Sequence, residues 1–171
     1  MSILQKSAGA PFICKVYLDF NGSLTPTNSE ENQNFYNSVG NQYTWKPLYF
    51  SITKVNFTET PKEISAGTQY TQSLSISFPN SDALRTDRIE KIKTTKFVRL
   101  ELSNGVSIVL GRNDFFQNKP LSILATSTAN KTTISFKTIT MFSVGVLQIN
   151  DVSHIIDFLI PTENPNNFIA I

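Results

Sequence analysis

Apolar and polar residues alternate along most of the chain, and this pattern predicts β-strands. In the first such segment Val16 and Leu18 share one phase, while Lys15, Tyr17 and Asp19 occupy the other. Alternation with a period of two places successive side chains on opposite faces of a sheet, so we expect a half-buried strand here. The pattern recurs in six further segments, at residues 48–52, 70–78, 98–102, 108–110, 121–125 and 133–140, and residues 55–57 and the apolar run at 155–160 are two more candidate strands. About eight or nine strands in an antiparallel β-sandwich or barrel are therefore expected.

One segment has a helical period instead. Leu84 and Ile92 lie at helical spacing within residues 81–94, and Asn80 or Ser81 precedes them as a potential N-cap. The sequence therefore predicts a mostly β protein with one short α-helix at about residues 81–94.

A hairpin is predicted between the strands on either side of Asn104-Gly105. This dipeptide favours a two-residue type I′ turn, because both central residues of that turn need a positive φ. With these two residues at the tip, Leu100 should face Val109 across the hairpin.

Three segments are predicted to lie outside the regular strands. Residues 21–47 are polar and form a long loop, which either projects toward a partner or holds one short strand of its own. Pro61 and Gly67 should bracket a turn. Residues 161–171 follow an apolar run that could be a last strand, and they form either an extended C-terminal arm or a strand packed on its own domain.

Length and composition suit a single β-rich domain over residues 1–171. The chain has 171 residues, of which 40% are hydrophobic and 16% are charged. The charged share is well below the roughly 25% of an average domain, so Ser, Thr, Asn and Gln must cover much of the surface. Such a surface repels neighbouring molecules weakly, which suits a protein that contacts copies of itself, although an ordinary β-rich domain fits equally well.

The charge distribution does not favour sequence-specific nucleic-acid binding. The net charge is +2, and the densest basic segment is interrupted by Asp82, Asp87 and Glu90. We interpret that segment as the solvated face of the helix. Its basic residues are Arg85, Arg88, Lys91, Lys93 and Lys96.

Neither secretion nor membrane insertion is expected. Cys14 is the only cysteine, so no internal disulfide can form. The first ten residues lack a charged-then-apolar signal pattern, and no apolar run approaches the roughly 20 residues of a membrane span. The expected location is the cytoplasm of the producing cell, or a particle assembled there.

No residue pattern predicts catalysis, a cofactor or a metal. His154 is the only histidine, and it has no flanking motif for nucleophilic catalysis. One histidine and Cys14 are too few for an ordinary zinc site. The segment Asp19-Phe20-Asn21-Gly22 resembles a fragment of a calcium loop, but Gly22 is not at the position that such a loop requires. A pair of carboxylates remains an open alternative, since the 13 acidic residues are scattered.

Residues 67–147 carry a series of strand, helix and hairpin patterns. These are the entry Gly67-Thr68-Gln69-Tyr70-Thr71-Gln72, the strand end Phe78-Pro79, the short helix, the segment Lys96-Phe97-Val98-Arg99-Leu100-Glu101-Leu102, the hairpin from Ser103-Asn104-Gly105 to Leu110-Gly111, and Ser135-Phe136. With these patterns the segment resembles small β-rich bacteriophage tail or neck proteins, which are virion structural proteins.

The resemblance implies a non-enzymatic subunit of a ring in a tail tube, neck or head–tail adaptor. Its partners would be copies of itself and other virion proteins, and its location the virion. An extended arm adding to a neighbour's sheet edge is the expected mechanism. The candidate interface residues are Tyr36, Tyr43 and Trp45 in the polar loop, Phe115 and Phe116, and Phe168, Ile169 and Ile171 at the tip.

Two other functions are open at this point. Exposed aromatic rings at Tyr36, Tyr43 and Trp45 could stack on sugars in a carbohydrate-binding or adhesion module. A hydrolase with two carboxylates is the third hypothesis. Phe115 and Phe116 could instead plug the core.

Overall fold

The computed structural model describes residues 11–22, 31–42, 44–50, 55–81, 84–112, 114 and 121–147. They form nine strands and two helices. In chain order the elements are β1 (Ile13–Asp19), α1 (Asn32–Gln42), β2 (Lys46–Leu48), β3 (Asn56–Ile64), β4 (Gly67–Pro79), α2 (Arg85–Lys93), β5 (Phe97–Leu102), β6 (Ser107–Leu110), β7 (Ser122–Ser127), β8 (Lys131–Thr140) and β9 (Val146–Leu147).

The strands form two antiparallel sheets. One sheet has the order β2-β1-β5-β6-β9, and the other has the order β3-β4-β8-β7. A single apolar cluster joins them, because it contains Leu18 and Leu100 from the first sheet and Leu74, Ile76 and Phe136 from the second. The predicted mostly β, antiparallel fold is confirmed, in a sandwich-like arrangement.

Alternation in the sequence accounts directly for this core. In β4 the inward residues Leu74 and Ile76 are fully buried, and in β8 the same holds for Ile134 and Phe136. Burying each such side chain contributes about 1.5–3 kcal/mol relative to leaving it exposed. The strands form where they do because one phase of each segment is apolar.

The short helix predicted near residues 81–94 is present, but the described residues form a second helix, α1, so the prediction of a loop over 21–47 is wrong for Asn32–Gln42. Phe35, Tyr36 and Val39 share one side of α1 and pack on Phe97 and Val109. The latter two belong to the outward phase of β5 and β6, so α1 covers the outer face of the five-stranded sheet. Asn and Gln lower the helix propensity of α1, and tertiary packing supplies the stability that local sequence lacks.

Helix α2 confirms the predicted position but not the predicted cap. Its N-cap is Leu84, which makes no side-chain capping bond. The Asn80 side chain instead donates to the Thr128 carbonyl and accepts from the Thr132 hydroxyl, so it ties the end of β4 to the β7–β8 turn. Neither helix in the described ranges is long and apolar enough to cross a membrane.

The hairpin between β5 and β6 differs from prediction by one residue in register. Leu100 faces Ile108, whereas a two-residue turn would have paired Leu100 with Val109. The loop contains a third residue, because Gly105 adopts a φ of 81° after Asn104 and the Leu102 amide donates to Val106. A three-residue loop that ends in a left-handed residue is the next most common hairpin connection.

The turn expected between Pro61 and Gly67 is also shorter than predicted. Pro61 lies within β3, opposite Tyr70, and the turn occupies residues 65–66. Proline is tolerated at this position because β3 is an edge strand.

Candidate functional site

Two of the eight predicted interface residues, Tyr36 and Trp45, lie within the described ranges. Tyr36 is fully buried in α1, so its prediction as an exposed interface aromatic is wrong. Its ring lies on the side of α1 that packs on the sheet and contacts the Phe35 ring edge-on. Trp45 is half-buried just before β2. The other candidates lie outside the described residues: Tyr43, Phe115, Phe116, Phe168, Ile169 and Ile171, together with His154.

Trp45 belongs to a stack on the outer face of the five-stranded sheet. The Arg99 guanidinium lies 4.1 Å from the centroid of the Tyr17 ring and 5.3 Å from that of Trp45. Beside the stack, Glu101 accepts hydrogen bonds from the Lys15 ammonium at 2.9 Å and from the Tyr17 hydroxyl at 3.2 Å. The Arg99 guanidinium lies over one face of each ring, so that face is not open for stacking on a sugar.

Arg112 anchors α1 to the end of β6. It is 1% exposed, donates from Nη1 to the Asn32 side chain at 3.1 Å, and forms an ion pair with Asp114. Its guanidinium lies 4.6 Å from the Phe35 ring centroid and 4.3 Å from that of Phe142. Burial raises the pKa of Asp114, and the Arg112 charge opposes that shift. These contacts surround the Arg112 guanidinium. We therefore interpret the cluster as structural, because it joins α1 to the end of β6.

Glu59 closes one side of the sandwich. Its Oε2 accepts from the Gln72 side chain at 2.9 Å and from the Val144 amide at 2.7 Å. Through these bonds edge strand β3 is tied to the segment that leads into β9. Among the residues with described positions, no group of three or more His, Cys, Asp or Glu side chains is arranged to hold a metal.

The described part of the chain forms four edge strands, and three of them carry features that discourage pairing with another chain. Strand β9 has two residues, and β2 has three, including Pro47, with Lys46 in the inward phase. Strand β3 has nine residues, but it contains Pro61 and, directly after it, the charged residues Lys62 and Glu63. Short length, proline and charge are the ordinary means by which sheet edges avoid association.

The fourth edge, β7, has none of these features. Its six residues read Ser-Ile-Leu-Ala-Thr-Ser, without charge or proline. Leu124 is 63% exposed on the outer phase. The inward residues Ile123 and Ala125 contact the core but are only half-buried, so the described residues leave part of their surface uncovered. We call this open side of Ser122–Ser127 the β7 edge.

Within the described residues, pairing with β8 satisfies only one side of the β7 backbone. The strand is bonded to β8, where Leu124 pairs with Ser135 and Ala125 with Ile134. Antiparallel pairing uses the N–H and C=O groups of alternate residues on each side of a strand. Within the described ranges, no backbone bond joins β7 to anything except β8. Helix α2 lies near β7 and leaves Ser122, Leu124 and Thr126 exposed.

The sequence carries one signal for the β7 edge, which is a lack of charge. Residues 121–130 contain no charged residue, whereas Lys131 follows immediately. Charge depletion alone fits a central strand equally well. Only the strand order shows that β7 lies at an edge. At an edge, a strand without charged residues is open to pairing.

Comparison with known proteins adds no functional residue to this geometry. No family model matches the chain, and neither a curated protein nor a solved structure matches it significantly.

Proposed function

We propose that the protein is a non-enzymatic assembly subunit that joins its neighbours by strand addition at the β7 edge. The observation that carries the proposal is the contrast between β7, which is uncharged and free of proline, and the three protected edges. A strand that docks there gains main-chain hydrogen bonds and covers Ile123 and Ala125.

The resemblance of residues 67–147 to bacteriophage tail and neck proteins supports the same function. A ring subunit needs a donor surface and a different acceptor surface, so that head-to-tail contacts can close. In this proposal the β7 edge is the acceptor, and a strand of the neighbouring copy is the donor. The low charge of the chain, 16%, keeps repulsion between neighbouring copies small.

Sugar binding receives less support from the positions of the aromatic rings. A stacking platform needs exposed aromatic faces, whereas Tyr36 is buried and Trp45 packs beside Arg99.

The test compares the molar masses of the native chain and a double variant, Leu124→Lys with Thr126→Lys, by light scattering on a size-exclusion column. Both positions are exposed, so the variant should keep its fold, which circular dichroism and thermal unfolding can verify. Lysine at an edge discourages strand addition. We expect a discrete oligomer for the native chain and a monomer for the variant.

The matched control is Thr58→Lys with Thr60→Lys, which adds the same charge to exposed positions of edge strand β3. This control should remain oligomeric, because its edge is already protected. A native chain that stays monomeric at every concentration would contradict self-assembly. Equal dissociation of both variants would show that added charge, rather than the β7 edge, controls association.

A further inference from the structure

A second surface, separate from the β7 edge, combines an apolar floor with a basic rim. Strand β2, the end of β1 and helix α2 enclose a cleft of about 260 Å³. We call it the β2–α2 cleft. The described residues that line it are apolar at its floor and basic at its rim.

The floor of the cleft is apolar. Leu18 and Ile92 are both 2% exposed and belong to the core, and Phe20 and Leu48 are half-buried beside them. Tyr49 stands at the mouth and is 68% exposed. A large exposed aromatic next to an apolar depression is typical of contact surfaces, where tyrosine is enriched.

Positive charge surrounds this floor. Lys46 comes from β2, and Arg88 and Lys91 come from one face of α2, since residues three apart are neighbours on a helix. The Lys91 ammonium lies 5.5 Å from the Phe20 ring centroid, which places it over the floor. Among the described residues that line the cleft there is no carboxylate, and Glu90 on α2 pairs with Lys93 at 2.7 Å.

We infer that the β2–α2 cleft binds a peptide segment in which a large apolar side chain is flanked by carboxylates. The apolar side chain would fill the depression formed by Leu18, Leu48 and Ile92. Its flanking carboxylates would meet Lys46 and Lys91 in charge-assisted hydrogen bonds. Strand addition is not the binding mode here, because β2 has three residues and one of them is Pro47.

A peptide fits these observations better than a nucleic acid does. Phosphate backbones seek extended basic grooves and need no aliphatic depression between the cations. In this cleft the cations surround an apolar floor of limited volume, so one partner must supply both an apolar side chain and negative charge.

The test titrates the full chain into a fluorescein-labelled peptide, Glu-Asp-Phe-Asp-Glu, and follows fluorescence anisotropy. Two matched peptides replace either the acidic residues by Gln and Asn, or the Phe by Ser. We expect saturable binding of the first peptide and at least tenfold weaker binding of each matched peptide, corresponding to about 1.4 kcal/mol for each feature removed.

The variant Lys46→Gln with Lys91→Gln should weaken binding of the acidic peptide about tenfold, since it removes two charge-assisted contacts. The control Lys62→Gln with Lys137→Gln lowers the net charge equally at exposed positions outside the cleft and should bind like the native chain. The variant Leu124→Lys with Thr126→Lys should also bind normally, so this result is independent of the β7 edge.

Three outcomes would overturn the inference. The first is no saturation up to about 1 mM peptide, the weak limit of specific recognition. The second is equal loss of binding in both Lys→Gln variants, which would indicate general attraction of negative charge. The third is displacement of the peptide by a single-stranded oligonucleotide at lower concentration, which would assign the cleft to nucleic acid.

Discussion

At some positions of this protein one close neighbour, and not a local conformational preference, determines which residue type fits. Gly145 is an example, because the Tyr36 ring lies directly against it. The tyrosine is deeply buried, and burial raises its pKa to about 12. A Cβ atom at Gly145 would be 2.2 Å from Cδ2 of that ring. The glycine is therefore required by the space that the tyrosine occupies, and no local sequence preference reveals this requirement.

We expect Gly145→Ala to lower the free energy of unfolding by about 1–3 kcal/mol, the usual cost of overpacking a core. The added methyl group displaces the Tyr36 ring, which α1 holds on the outer face of the sheet. Chemical denaturation measures the change. In the background Tyr36→Leu the same alanine should cost less, because the ring is gone. An equal cost in both backgrounds would refute the proposed clash.

At the scale of elements, the sequence predicted strands well and α1 poorly, for one physical reason. Strand β4 has its own apolar phase, with Leu74 and Ile76, so alternation alone identified it. Helix α1 depends on Phe97 and Val109, which follow it by more than fifty residues, as the sequence numbering shows. The β7 edge could not be predicted at all, since strand order decides which strand lies at an edge.

The β5–β6 hairpin provides a second prediction at this scale. Gly105 has a φ of 81°, and nothing lies within 4 Å of where a Cβ would be, so only backbone strain opposes a side chain. We expect Gly105→Ala to lower the free energy of unfolding by about 1–2 kcal/mol. Gly105→Asn should cost less, because asparagine tolerates the left-handed region. Thermal unfolding of both variants checks this order, and equal costs would contradict a left-handed turn residue.

For the whole molecule, two sheets and a covering helix leave few ionisable groups in the interior. Asp19 is fully buried at the end of β1, and one of its carboxylate oxygens has no hydrogen-bond partner among the described residues. Burial raises the pKa of Asp19, while backbone N–H groups that include that of Asn21 oppose the shift. The pKa of Asp114 is raised by burial as well. Both shifts make the charged carboxylate less favourable in the folded state.

The pH dependence of stability follows from these two groups. A raised pKa means that the folded protein holds the proton more tightly than the unfolded chain, whose Asp groups titrate near 3.8. The free energy of unfolding should therefore decrease as the pH rises from that value through the higher folded pKa of each group. Denaturant titrations at a series of pH values across this window measure the slope. The variant Asp19→Asn has no ionisable group at this position, so its free energy of unfolding should decrease less steeply with pH. Relative to the native chain, the variant should therefore gain stability toward neutral pH. If stability instead rises with pH across the window in the native chain, favourable carboxylate contacts elsewhere outweigh the two buried groups, and burial does not dominate the charge balance of this fold.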